Sequence, residues 1–150
     1  MTADDARWMA MALEEARVAA AQGDVPVGAV IVCGGQLVAR TRNRARELVD
    51  ATAHAEILAL RVAAEKLDDW RLTSCTVYAT LEPCAMCAGA MVLSRIERLV
   101  FATPDPKAGM CGSLANIVQD PRLNHRVAVE SGIMAEESGS LLREFFRAKR

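Results

Sequence analysis

Near the start of the chain the apolar positions recur at helical spacing. Trp8, Ala12, Ala16 and Ala19 mark one stripe of an alanine-rich run that reaches about Gln22. "TADD" before it reads as a capping box, Thr2 ahead of Asp5, so a helix is expected to open there. "GDVPVG" breaks the run, and "AVIVCGGQLVART" then gives two strand-like segments joined at Gly34 and Gly35, a hairpin. A polar, arginine-rich loop extends to Ala51. Helical spacing resumes in "AHAEILALRVAAEKL", which puts Ile57, Leu60, Ala64 and Leu67 on one side. "CTVYATL" reads as a strand, residues 81–91 carry a helix, and "RLVFAT" is a strand again. The loop "PDPKAGMCGS", a candidate strand "RVAVE" and a final helix to Arg150 complete the chain, with Ser138 and Gly139 expected to delay or kink that helix. Strands alternating with helices predict an α/β fold, a sheet with parallel neighbours covered by helices. No repeat, low-complexity segment or linker divides it, so residues 1–150 are read as one domain.

Composition changes this picture little. The chain of 150 residues is 52% hydrophobic and 25% charged, ordinary for a globular protein. No apolar run approaches the roughly 20 residues of a membrane span, and "MTADDARW" is no signal peptide. No membrane partner and a cytoplasmic location are the expectation. A net charge of −1 excludes a generally basic protein but leaves room for local basic patches. An odd set of five cysteines in a chain without an export signal argues against a disulfide framework. Cys33 and Cys75 lie in strand-like runs and are assigned to packing.

Candidate chemistry sits at two helix starts. His54 opens the second helix directly after a loop, and Cys84 opens the third directly after Pro83, with Cys87 one turn further on the same face. The positive end of a helix favours thiolate, the metal-binding form. One imidazole and two thiolates suit zinc and leave the fourth tetrahedral position open, the pattern of a catalytic ion. Glu56, two residues after His54, is placed to move protons to and from a water there. Each feature alone has a plainer explanation. A Cys-x-x-Cys is weak by itself, a histidine at a helix start is often a cap, and a first-turn glutamate often serves the helix dipole. A purely structural zinc module also stands as an alternative. It would need a fourth protein ligand from Cys111, Cys75 or His125 and would leave Glu56 without a task.

"HAE" followed by "PCAMC" matches the zinc deaminase pattern. Beyond the motif, "DVPVGAVIV", "RNRA", "ATAHAEILALR", "YATLEPCAMCAGAMVLSRI", "DPKAGMCGSL", "NHRV" and "LLREFFRAKR" resemble, in order, the bacterial tRNA-specific adenosine deaminase family. The resemblance implies a three-layer cytidine deaminase-like fold, a central mixed five-stranded sheet between helices, assembled as a homodimer. It implies one zinc ion per chain on His54, Cys84 and Cys87, with Glu56 as the catalytic proton shuttle. The implied reaction is hydrolytic conversion of adenosine to inosine at the wobble position of an arginine tRNA anticodon. An unstacked loop base enters a pocket without the cost of opening a duplex. No DNA partner is expected.

The same resemblance assigns substrate-binding roles. Asn43 corresponds to the asparagine that bonds the nucleoside, and Pro26, Val27 and Gly28 fit the strand start lining the base pocket. Ala55 and the backbone of Pro83 and Cys84 fit the side that holds the exchanging oxygen and amine. Asp105 and Lys107 match positions on the RNA strand. In the tail, Phe145, Phe146 and Arg147 fit an anticodon-loop surface, one phenylalanine being expected in the core and one nearer RNA. Basic charge is expected in two places: the loop bearing Arg40, Arg42, Arg44 and Arg46, and the tail from Arg143 to Arg150, which Arg122 and Arg126 could join. His125 is expected in a loop near the RNA side, and Cys111 in packing. A deaminase of a free nucleobase or nucleoside, such as guanine or cytidine, would share the metal set without needing the "DPKAGMCGS" loop or the basic tail.

Overall fold

A computed structural model describes residues 2–149; Arg150, expected in the basic tail, lies outside the described residues. Helix α1 (Ala3–Ala21) opens on the expected capping box: the Thr2 hydroxyl accepts the Asp5 N–H at 3.2 Å and the Asp5 carboxylate accepts the Thr2 N–H at 3.0 Å. Its stripe of Trp8, Ala12, Ala16 and Ala19 is buried, together with Met9 and Leu13. Strands β1 (Gly28–Cys33) and β2 (Gln36–Arg42) form the hairpin. Gly34 and Gly35 at its tip both have positive φ, 59° and 78°, the requirement of a two-residue turn that follows the strand twist. Helix α2 (Ala55–Leu67), β3 (Cys75–Leu81), α3 (Ala85–Leu93), β4 (Arg98–Thr103), a 3-10 turn (Ile117–Gln119), β5 (Ala128–Ser131) and α4 (Ala135–Ala148) follow.

The five strands lie in the order β2-β1-β3-β4-β5. β1 pairs antiparallel with both β2 and β3, whereas β3, β4 and β5 run parallel. Alternate residues feed two apolar layers. Ile31, Val77, Ala79 and Leu99 point to the side of α2 and α3, where they meet Ala59, Ala63, Ala88 and Met91. Val30, Tyr78, Val100 and Ala102 point to the other side, against Trp8, Met9 and Ala12 of α1. The result is the expected mixed five-stranded sheet between two helical layers, a cytidine deaminase-like α/β fold. α1 approaches the sheet so closely that a Cβ on Gly28 would stand 1.9 Å from the Ala12 carbonyl oxygen.

Two local readings change. On α2 the buried positions are Ala55, Glu56, Ala59, Leu60 and Ala63, while Ile57 and Ala64 are half-buried and Leu67 is exposed. The inward face is therefore mainly alanine, with Leu60 the one large apolar residue and Glu56 turned inward beside it. α4 runs without a break through Ser138 and Gly139. The buried Ser138 hydroxyl donates to the Thr80 carbonyl at 2.5 Å and fastens the helix to β3. Its last turns line a hollow together with Leu81 and Thr103 at the ends of β3 and β4. Neither tail phenylalanine enters the core: Phe145 is half-buried, Phe146 is 48% exposed, and the two rings meet edge to face at 5.4 Å.

Candidate metal centre and substrate cavity

β3 ends at Leu81, and the chain turns through Glu82 and Pro83 into α3, so Cys84 is the residue that caps that helix. His54 caps α2 in the same way. Neither residue uses its side chain to cap its own helix, so both point outward to a common place. His54 Nδ1 lies 3.6 Å from Cys84 Sγ and 3.6 Å from Cys87 Sγ. Tetrahedral zinc with bonds of about 2.3 Å to sulfur and about 2.0–2.1 Å to nitrogen sets its nitrogen and sulfur ligands about 3.6 Å apart. His54 Nδ1 thus already stands at that edge length from both sulfurs. All three ligand atoms lie within 4.8 Å of one another, and among the described residues no other such group of three occurs. Cys111 and His125 do not join them. Cys111 is buried with its thiol pushed up to about 12, chiefly by burial. His125 sits in the loop before β5, its Nε2 2.7 Å from the Ile96 carbonyl oxygen. That is the opposite end of the parallel strands from Cys84, so the expectation of His125 and Arg126 near the site fails on topology.

Protons are shared unevenly in this corner. Hydrogen bonds from Cys87 and His54 hold the Cys84 thiol down to about 3 against the effect of burial. Cys87 is driven far above the usual thiol range by Cys84 and by burial, and His54 is raised through its bond to Cys84. Burial pushes the Glu56 carboxyl up to about 7, partly offset by a backbone hydrogen bond and by His54. A divalent cation held by these residues would take the place of protons that the two sulfurs cannot both release, and its charge would favour the ionised form of Glu56.

A cavity of about 220 Å³ opens over the triad, lined by His54, Glu56 and Cys84 with Val27, Asn43 and Ala55. It falls below the roughly 300–1,000 Å³ of drug-sized sites and suits one planar base. Asn43 is 9% exposed. Its amide donates to the Val25 carbonyl at 3.2 Å and its carbonyl accepts the Ala45 N–H at 3.1 Å, so it ties the loop to the cavity wall as well as lining it. Pro83 does not line the cavity; its carbonyl accepts the Met110 N–H at 2.9 Å. Pro26 and Gly28 do not line it either, Gly28 serving the contact with α1. Asp105 borders both this cavity and a larger hollow of about 1,030 Å³ beside it, where Lys107, Phe146, Arg147 and Lys149 stand; Phe145 stays outside, under the Lys149 ammonium at 5.3 Å. Sequence reasoning missed Glu82, a 2% exposed carboxylate on the cavity wall. The available signal was a charge set between a buried strand and a proline.

The arginine-rich loop is less basic than its composition promised. Arg40 pairs with Glu14 and Glu15 at 2.7 Å, Arg42 and Arg44 with Glu47, and Arg46 reaches the Gly23 carbonyl at 3.4 Å. By contrast, Lys107, Arg147 and Lys149 have no carboxylate partner among the described residues. The cations that edge the hollow without a carboxylate partner among the described residues are therefore Lys107, Arg147 and Lys149.

Residues 3–150 match the family model of MafB19-like deaminases. A tRNA-specific adenosine deaminase of Bacillus subtilis (strain 168) is 47% identical over 150 residues, covering 100% of this chain and 92% of that protein. One from Agrobacterium fabrum is 46% identical over 99% of this chain and 97% of its own length. A solved structure from work on A-to-I editing by tRNA:A34 deaminases at the wobble position superimposes with a TM-score of 0.88, at 45% identity over 91% of this chain and 99% of that one. A guanine deaminase from Nitrosomonas europaea gives 0.82, at 28% identity over 93% and 83%. On the family match and on full-length likeness at this level, the chain belongs to the family of tRNA-specific adenosine deaminases.

Proposed function

We propose that this protein is a zinc-dependent tRNA adenosine deaminase, a single domain over residues 1–150 that converts adenosine to inosine at the wobble position of an arginine tRNA anticodon. One observation carries the reading most: a ligand triad at zinc spacing shares a base-sized cavity with a buried carboxylate, beside a hollow edged by unpaired cations. His54, Cys84 and Cys87 would hold one zinc ion per chain, which when bound lowers the pKa of water toward neutrality.

The chain's own groups divide the remaining work. Val27 and Ala55 wall the base, and Asn43 presents its amide to the nucleoside from a fixed loop. Glu56 accepts a proton from the attacking water and delivers it to the ring nitrogen as C6 takes on oxygen. It then takes the remaining water proton from the C6 hydroxyl and passes it to the amino group; the C6–N bond breaks as the C6 carbonyl forms, ammonia leaves and inosine remains. Burial of Glu56 keeps bulk water from diverting those protons. Asp105, Lys107, Phe146 and Arg147 border the hollow that would take the flanking nucleotides, by stacking and phosphate contact; Phe145 supports Phe146 from behind. A homodimer and a cytoplasmic location complete the reading, and no helix among the described residues is long and apolar enough to cross a membrane.

The similarity to a guanine deaminase keeps one second reading in view, a deaminase of free guanine or of a nucleoside such as cytidine. Incubation with arginine-tRNA anticodon stem-loops, guanine, cytidine and adenosine separates the two. Inosine in the stem-loop alone is the expected result. Turnover of a free base with an inert stem-loop would overturn it.

A further inference from the structure

Glu82 is the first residue past β3 and continues the ladder to β4, its N–H donating to the Thr103 carbonyl at 2.9 Å. Its carboxylate leaves the sheet and enters the loop 105–113. Oε1 accepts the Asp105 N–H at 3.0 Å and the Ser113 hydroxyl at 2.5 Å; Oε2 accepts the N–H groups of Cys111 and Ser113, both at 3.0 Å. Four donors from one loop thus converge on one buried carboxylate. Gly109 closes over it, and a Cβ there would lie 2.3 Å from Glu82 Cδ and 2.6 Å from the Asp105 carbonyl oxygen. Two residues beyond Glu82 stands Cys84, and between them the Pro83 carbonyl accepts the Met110 N–H. The segment that supplies a metal-ligating sulfur and the loop that edges the large hollow are therefore held by a single side chain.

We propose that Glu82 is a positioning residue that sets the register between the metal segment and the RNA-facing loop, so that Asp105 and Lys107 meet the nucleic acid strand while the base occupies the small cavity. The proposal rests on the tRNA reading above. A carboxylate suits this task because it accepts at both oxygens and donates at neither. Nothing in the chemistry at C6 requires it, so its removal acts on the grip on RNA more than on the chemical step.

Glu82→Gln turns one acceptor into a donor that faces N–H groups, at nearly unchanged volume. In the zinc-loaded protein it is expected to speed amide exchange at Asp105, Cys111 and Ser113 by about tenfold or more while zinc content stays at wild-type level. With an anticodon stem-loop, KM and the Kd read by fluorescence anisotropy should rise by about tenfold, with kcat within about threefold of wild type. Ser113→Ala removes one donor and should move every readout the same way by less, which keeps the test usable if Glu82→Gln folds poorly. Unchanged exchange in both variants would overturn the clamp. Faster exchange with unaltered KM and Kd would reduce Glu82 to a structural residue, and so would loss of zinc. Anisotropy needs no turnover, so a wild-type protein that binds the stem-loop without forming inosine would sink the functional reading and leave the clamp standing.

Discussion

Asp5 and Glu56 occupy nearly the same local position and have opposite chemistry. Each lies in the first turn of a helix, each is buried at 1% and 4% exposure, and they face opposite sides of one sheet. Asp5 receives the Tyr78 hydroxyl at 2.6 Å and two Arg98 nitrogens at 2.9 and 2.7 Å, and Arg98 also meets Glu130 at 3.0 Å. Those bonds, Arg98 first, hold its carboxyl well below the usual range despite burial. Glu56 has only partial compensation, and burial raises it to about 7. Burial alone does not set the behaviour of a carboxylate. The donors brought to it decide whether it is a rivet or a group left able to exchange protons.

The largest effect should come from Glu56. Glu56→Ala is expected to lower the deamination rate by about a hundred- to ten-thousand-fold, with zinc content and melting temperature close to wild type because the carboxylate is no ligand. A variant that keeps its rate would erase the contrast with Asp5.

Asp5→Ala tests the other half. It leaves Arg98 with Glu130 alone and strips the Tyr78 hydroxyl of its acceptor, for an expected loss of about 2–4 kcal/mol in urea unfolding. The kcat of the folded fraction should not change. If kcat falls with stability, the two faces are coupled more tightly than their separate cores imply.

Acid titration gives a graded version. The folded value of Asp5 lies below the roughly 3.9 of an unfolded chain, so its contribution is complete above about pH 5 and is lost progressively as pH falls below about 4. Wild-type stability should therefore fall more steeply than that of Asp5→Asn between about pH 5 and 2. Parallel curves would remove Asp5 from the account.

The smallest effects belong to the rim. Truncation after Phe146, which removes Arg147, Lys149 and Arg150, should weaken stem-loop binding and reduce the salt slope by up to about two to three, leaving zinc unchanged. Charge reversal of Arg40, already paired with Glu14 and Glu15, should cost stability but leave that slope as it was.

Period and punctuation in the sequence carried the fold well. The capping box at Thr2, the Gly34–Gly35 hairpin and the helices opening at His54 and Cys84 all stand where the residues placed them. Cys84 and Cys87 were legible as a pair because one helical turn separates them, and His54 because it opens the neighbouring helix; the structure brings the three together. What stayed hidden depends on partners distant in the chain. Arg40 looked like a nucleic-acid contact until α1 brought Glu14 and Glu15 against it. Glu82 was passed over because its four donors lie 23 to 31 residues away. One tail phenylalanine was expected in the core, yet Phe145 is half-buried and Phe146 borders the large hollow.

His54 and Cys84 stand at the caps of α2 and α3 without capping either helix, 30 residues apart in the chain. A cation bound there becomes a shared keystone for two first turns that lack side-chain caps of their own. Its three donors come from the starts of two helices flanking β3, so the complete set exists only where both helices are docked on the sheet. A misregistered β3 would move Cys84 away from His54 and leave the ion with half a site. Retention of an ion by His54, Cys84 and Cys87 would therefore report a correctly aligned central strand.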